Sequence, residues 1–244
     1  MSASATTTTA SPEEIAHFQA MADDWWDASG DFKPLHQLNL PRLAFAREAL
    51  LRHFDRDGSS VRPFAGLSLL DVGCGGGLLC EPLSRQGFAV TGIDAGEKNI
   101  TAARLHAEQN GLTIDYHCAT PETLDEQYDV VTCMEVIEHV PDPDVFLAAV
   151  AARLKPGGAF LGATLNRTPQ SFALAIVGAE YVLRWVPRGT HTWRKFIRPS
   201  EFAGALRRVG ISAKSFEGAR YVPLHDRWDR CAALDVNYSL YGIK

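Results

Sequence analysis

The 244-residue sequence is short of several things, and each absence narrows the field. No apolar run approaches the ~20 residues that a membrane-spanning helix requires. Cysteine is scarce: Cys74, Cys80, Cys118, Cys133 and Cys231 make an odd number with no C-x-x-C pair. That argues against a secreted disulfide scaffold and a structural zinc site, and for a reduced, cytoplasmic compartment. The N-terminus lacks the basic-then-apolar order of a signal peptide, and the Ser/Thr/Ala run that opens the chain predicts a disordered tail over residues 1–11. Positive charge is in deficit, with 24 Lys and Arg against 29 Asp and Glu, so a general nucleic-acid binder is disfavoured. What remains, 46% hydrophobic and 22% charged, is the composition of one globular domain, expected over residues 12–244.

Ser11-Pro12-Glu13-Glu14 predicts a helix start, with Ser at the N-cap, Pro at the first helical position and Glu14 closing a capping box. Ile15, Phe18, Met21, Ala22 and Trp25 follow at helical spacing toward Gly30, and a second helical pattern spans 43–54, so that residues 12–56 form an N-terminal helical region. From Leu67 the rhythm changes. Short β-rich runs at 67–72, 89–94, 113–117, 128–134 and 159–165 alternate with helical stretches, the last run following Lys155-Pro156-Gly157-Gly158. Such alternation predicts parallel βαβ units in a doubly wound α/β sheet, and strand-like residues after about Arg220 suit an antiparallel edge.

Leu69-Leu70-Asp71-Val72-Gly73-Cys74-Gly75-Gly76-Gly77 follows a strand and opens a helix. Glycines there let the backbone turn tightly and approach a ligand. A dinucleotide fingerprint would need Gly or Ala at position 78, where the chain has Leu78, and Asp71 suits a cationic ligand better than a pyrophosphate. Asp94 ends the second strand, where an acid accepts hydrogen bonds from ribose hydroxyls; the competing role is capping of the next helix. Met134 ends the fourth strand, either against a cofactor or as plain core.

Glu135, Glu138 and His139 stand at i, i+3 and i+4, which on a helical turn places them on one face. Three readings stay open. Together they could bind Mg²⁺ or Zn²⁺ and template two vicinal oxygens. Alternatively, His139 takes a phenol proton as general base with a carboxylate beside it. Otherwise the group only satisfies a helix N-terminus. Residues 166–198 interrupt the βα rhythm with an apolar run flanked by Arg167, Arg184, Arg188, Arg194, Lys195 and Arg198 against Glu180 alone. This is a lid over a lipid-like tail, an element that lies on an anionic membrane surface, or a packed helical elaboration.

The loop 71–77, Asp94 and the Pro156-Gly157-Gly158 turn resemble those of the class I S-adenosylmethionine-dependent methyltransferases. Trp25-Trp26-Asp27, Phe32-Lys33-Pro34-Leu35-His36, Glu138-His139-Val140-Pro141-Asp142-Pro143, Val177-Gly178-Ala179-Glu180-Tyr181 and Asp235-Val236-Asn237-Tyr238 narrow the resemblance. Across about residues 13–240 the chain is similar to the ubiquinone-biosynthesis O-methyltransferase family. That likeness implies a Rossmann-like fold with a seven-stranded sheet. It also implies S-adenosylmethionine held by Arg42, Gly73, Asp94 and Met134, with Asp71 and Gly75 in the same loop. A divalent cation, a polyprenylated catechol or quinol substrate and peripheral attachment to the inner membrane through 166–198 are further implications. A non-catalytic place in a quinone-biosynthesis complex is an alternative, against which the intact Asp94, Glu135, Glu138 and His139 speak. Two departures stand out: Asn39-Leu40-Pro41-Arg42 where the family often has Asn-Pro-x-Arg, and Thr192 where relatives commonly have Asp.

Overall fold

The computed structural model describes residues 9–30, 32–174 and 192–244. An eight-stranded sheet runs β3-β2-β1-β4-β5-β8-β6-β7. Its members are β1 (Ser68–Val72), β2 (Ala89–Asp94), β3 (Asp115–Cys118), β4 (Tyr128–Met134), β5 (Leu154–Leu165), β6 (Ser212–Val222), β7 (Arg227–Cys231) and β8 (Asn237–Ile243). β1 to β5 pair in parallel, while β8 pairs antiparallel with both β5 and β6. The expected doubly wound sheet with an antiparallel edge is present, but with eight strands instead of seven. The eighth is β7, which folds back on β6 through a turn that Asp226 closes in the left-handed region at φ 47°.

Helices cover both faces. α2 (Lys33–His53), α3 (Cys80–Arg85) and α4 (Glu97–Gln109) bury Phe45, Leu50, Leu83 and Ile100 against one side of the sheet. α5 (Pro143–Ala152) and α7 (Pro199–Arg208) bury Phe146, Leu147, Phe202 and Leu206 against the other. A three-residue turn, α6 (Pro169–Ser171), opens the segment after β5. β1 and β4 are buried over most of their length, as parallel strands covered on both faces are, and Thr132 and Asp71, the polar pair they bury, are hydrogen-bonded to each other.

Several boundaries differ from the sequence expectation. α2 begins ten residues before position 43 and carries Pro41 inside it. A proline there removes one backbone hydrogen bond, and the helix continues because Pro41, Arg42, Phe45, Ala46, Ala49 and Leu50 are all buried. The N-terminal helix is shorter: α1 spans Pro12–Gln19, and a separate 3₁₀ turn covers Ala22–Asp24. Breaking the helix lets Trp25 and Phe32 fold inward and stack at 4.0 Å. Order begins before residue 12, because Thr9 is buried with its N–H and hydroxyl both on the Glu122 carboxylate, at 2.7 and 2.8 Å. β5 begins at Leu154, and the register jumps from Tyr128↔Leu154 to Val130↔Ala159, so the Pro-Gly-Gly turn bulges out of the ladder. Of the 166–198 segment, residues 175–191 lie outside the described residues, including Glu180, Arg184 and Arg188. Its described ends are tied down, with Arg167 paired to Glu201 and the Trp193 indole N–H donated to the Thr168 carbonyl at 2.9 Å.

Candidate active site

The strand order reverses between β1 and β4, and at the carboxyl ends of these strands a cavity of about 260 Å³ opens. Ligands of doubly wound sheets bind at such a switch point. All six residues expected at the cofactor border it: Arg42, Asp71, Gly73, Gly75, Asp94 and Met134. Glu135 and His139 border it as well.

The glycine loop turns through Gly73, Gly75 and Gly77 at φ 72°, 52° and 87°. Only glycine takes such angles without a steric penalty. The loop is also closely covered, since a Cβ on Gly75 would sit 2.4 Å from the Trp25 ring and one on Gly73 the same distance from Val136. Trp25 donates its indole N–H to Asn99 Oδ1 at 3.0 Å, and Asn99 Nδ2 donates to Asp94 Oδ1 at 3.0 Å. Trp26 donates to the Gly76 carbonyl at 2.9 Å and stacks on His106 at 3.4 Å. The tryptophan pair of the N-terminal region thus fastens the loop from outside, a role that spacing alone did not reveal.

Of the two roles expected of Asp94, the local one is present: it engages the start of α4, and it also holds the glycine loop. Its carboxylate accepts from Gly96 N–H at 2.8 Å, at the start of α4, and from Gly75 N–H at 3.0 Å. With Asn99 that makes three donors on a group with about four acceptor positions, so Oδ2 retains one. Burial pushes its pKa up, and these three donors pull it back. Asp71 is more enclosed. Thr132 donates to Oδ1 at 2.6 Å and the Cys80 thiol to Oδ2 at 3.2 Å, so the carboxylate braces the loop from beneath. Burial raises its pKa to about 6.

The acid–histidine group departs from the expected geometry. Glu135 has φ 55°, outside the helical region, so the three side chains do not share the face of one helical turn. Strain of this kind concentrates at functional sites. Glu135 forms an ion pair with the buried Arg42, joining α2 to the end of β4. Glu138 is 4% exposed, and neither carboxylate oxygen has a hydrogen bond of ordinary geometry. The buried Thr164 hydroxyl beside it acts to lower its pKa. Burial and then the Glu135 charge raise the Glu138 pKa well above the carboxylate range, with His139 opposing. His139 Nδ1 lies 3.0 Å from Glu14 Oε2, and its ring meets Phe18 edge-on at 5.2 Å. Burial would push the His139 pKa down, but the hydrogen bond to Glu14 and the charges of Glu138, Glu14 and Glu135 outweigh it and leave it raised. Glu14 drops to about 2, chiefly through that hydrogen bond.

Glu14 is the residue that sequence reading missed. Its place three after Ser11 signalled a capping box, and half of the box exists: Ser11 Oγ accepts from Glu14 N–H. The carboxylate, however, leaves the helix end for His139 and, at 3.1 Å, for Lys195.

As donors, two hard carboxylates and an imidazole suit Mg²⁺ or Zn²⁺, and the orphaned Glu138 oxygens lack a partner that a cation would supply. As placed, they are not gathered about one point: among the described residues no group of three or more His, Cys, Asp and Glu side chains is positioned to hold a metal ion. The five cysteines are free thiols.

The family model described as a methyltransferase domain matches residues 36–213. In fold, the chain is similar to magnesium protoporphyrin IX methyltransferase from Synechocystis PCC 6803, a crystal structure with bound SAH, at a TM-score of 0.66 and 18% identity over 94% of each chain. In sequence, it is 62% identical over 97% of its length to the ubiquinone biosynthesis O-methyltransferase of Paramagnetospirillum magneticum, covering 96% of that protein. Against the enzyme of the same name from Caulobacter vibrioides it is 52% identical, over 96% of this chain and 94% of that one. With its cavity at the switch point, its glycine loop intact and this identity spread over almost the whole length, the chain belongs to the ubiquinone biosynthesis O-methyltransferases.

Proposed function

We propose that the protein methylates a hydroxyl of 2-polyprenyl-6-hydroxyphenol and of 3-demethylubiquinol, with His139 as the base. The observation that carries this reading is that Asp94, Met134 and His139 border one and the same cavity, which Ile15, Phe18, Val140 and Phe146 also line with apolar surface. A flat phenolic head with an alkyl tail suits such a wall. S-adenosylmethionine, when bound, supplies the electrophilic sulfonium methyl. Gly73 and Gly75 admit it close to the backbone, Asp94 Oδ2 offers an acceptor to a ribose hydroxyl, and Met134 and Arg42 border the same space. His139 takes the hydroxyl proton at Nε2, which makes no hydrogen bond among the described residues. The apolar wall keeps water from competing for that oxygen.

The buried, unpartnered Glu138 oxygens favour a second reading of the same site. Glu138, with Glu135 and His139, would hold Mg²⁺ or Zn²⁺, which lowers the pKa of a catechol hydroxyl and fixes two vicinal oxygens. Methyl transfer from labelled S-adenosylmethionine to a short-chain prenyl catechol, with and without EDTA, tests both. Transfer is the expected result. Loss in EDTA with recovery on Mg²⁺ or Zn²⁺ assigns the metal, and indifference to EDTA leaves His139 to act alone. Bound cofactor without transfer would turn the reading toward another phenolic acceptor or a scaffold in a quinone-biosynthesis complex.

The substrate tail carries a proposal about place. Among the described residues no helix is long and apolar enough to cross a membrane. A polyprenyl chain must nonetheless be reached in the bilayer, and the basic, apolar 166–198 segment has the composition of an interfacial element. Phe172 and Leu174 at its described edge are 46% and 59% exposed. The enzyme then works on the cytoplasmic side of the inner membrane, bound peripherally. Replacing Arg184, Arg188 and Arg194 with Glu, leaving Lys195 to pair with Glu14, is expected to abolish co-sedimentation with anionic liposomes. Undiminished co-sedimentation would remove the segment from that role.

A further inference from the structure

We propose that Glu14 is a positioning residue for His139: a carboxylate brought from α1 to orient the catalytic imidazole. The inference rests on the reading of His139 as base. Glu14 lies 125 residues from His139 in sequence, yet its Oε2 is 3.0 Å from Nδ1. A carboxylate that also receives Lys195 accepts from the imidazole, so Nδ1 carries the proton and, in the neutral ring, Nε2 keeps the lone pair. The other oxygen of Glu14 accepts from Lys195 Nζ at 3.1 Å, which holds the carboxylate at both ends. Phe18, four residues on and therefore on the same face of α1, presses edge-on against the imidazole at 89°. A helix of eight residues thus supplies both a polar and an apolar stop to one ring, while burying no residue of its own.

A purely local role does not account for this. An acid in the first helical turn is favoured by the helix dipole, and a capping box would send its carboxylate back to the Ser11 N–H. Glu13, next to it, behaves in that local way and takes the Ser11 hydroxyl at 2.8 Å. Glu14 reaches across to the cavity wall instead. In the step itself, the substrate O–H bond breaks, the proton passes to Nε2 and the electron pair stays on the substrate oxygen. The imidazolium so formed has Glu14 on its far nitrogen, which stabilises the charge as it appears.

The test is a double-mutant cycle on kcat, with cofactor affinity measured in parallel. Glu14→Gln is expected to lower kcat about 10- to 100-fold, the usual cost of losing an orienting partner, with cofactor Kd unchanged. Glu14→Asp should recover part of that loss, and Glu13→Gln, the same charge change on the same helix, should have no effect. The decisive arm is Glu14→Gln combined with His139→Ala, expected to be no slower than His139→Ala alone. If the two losses multiply, Glu14 acts independently of His139 and the inference fails. If His139→Ala leaves kcat intact, the base assignment itself is wrong. Thermal melts of each variant separate these results from misfolding.

Discussion

Replacement of His139 by alanine is expected to lower kcat about 10²- to 10⁴-fold, the range that general-base catalysis contributes. On the proposed reading of His139 as the base, the other acids near the cavity are engaged elsewhere. Glu135 is held by Arg42, and Asp94 and Asp71 are committed to donors around the glycine loop. Glu138 sits behind the cavity wall, and its burial keeps it protonated more readily than an exposed carboxylate. Cofactor affinity should change little, because the loop and the β2 acid lie on other elements. Single-turnover methyl transfer reads the chemical step directly, and added imidazole should restore part of the rate by entering the space the side chain vacates. An unaltered single-turnover rate would move proton removal away from this residue.

Gly75→Ala is expected to abolish measurable binding of S-adenosylmethionine. The left-handed backbone at φ 52° costs an alanine about 1–2 kcal/mol by itself. The larger effect is collision, since the new Cβ would lie 2.4 Å from the Trp25 ring. That ring has nowhere to go: Phe32 is stacked on one face and its N–H is engaged by Asn99. Displacing it drags on Asn99, and through Asn99 on Asp94. Gly111→Ala isolates the backbone penalty, because Gly111 has φ 64° but open space where a Cβ would stand. Calorimetric titration should show normal affinity for Gly111→Ala and none for Gly75→Ala. Equal affinities would mean that the Trp25 contact does not shape the cofactor site.

The parts of the site that were legible in the sequence are those set by local order. Gly73, Gly75, Asp94 and Met134 each sit at the end of a strand with its own apolar run, and a βαβ rhythm is enough to bring them to one edge of the sheet. Strand count was legible less well, since β7, with Arg227, Asp229 and Arg230 among its five residues, has no apolar run and pairs with β6 through the turn at Asp226. The pairings that cross the chain left no periodic trace. Arg42 with Glu135 and Glu14 with His139 are separated by 93 and 125 residues. Glu14 was misread for a physical reason: the same acid at the same spacing satisfies a capping box, and only the tertiary fold decides where its carboxylate goes. The i, i+3, i+4 spacing of Glu135, Glu138 and His139 likewise predicts a shared face only if the turn is helical, and Glu135 is not.

α1 buries no residue; the Glu14 contacts to His139 and Lys195, the Phe18 ring edge and the Gln19 side chain on the Lys98 N–H are among the contacts that fasten it. Loosening such a segment exposes little apolar surface, and the heat capacity of unfolding follows the apolar surface exposed. The curvature of the stability curve is therefore set by the sheet and the helices packed on it, and a chain cut back to remove α1 should keep nearly the same heat-capacity step on unfolding.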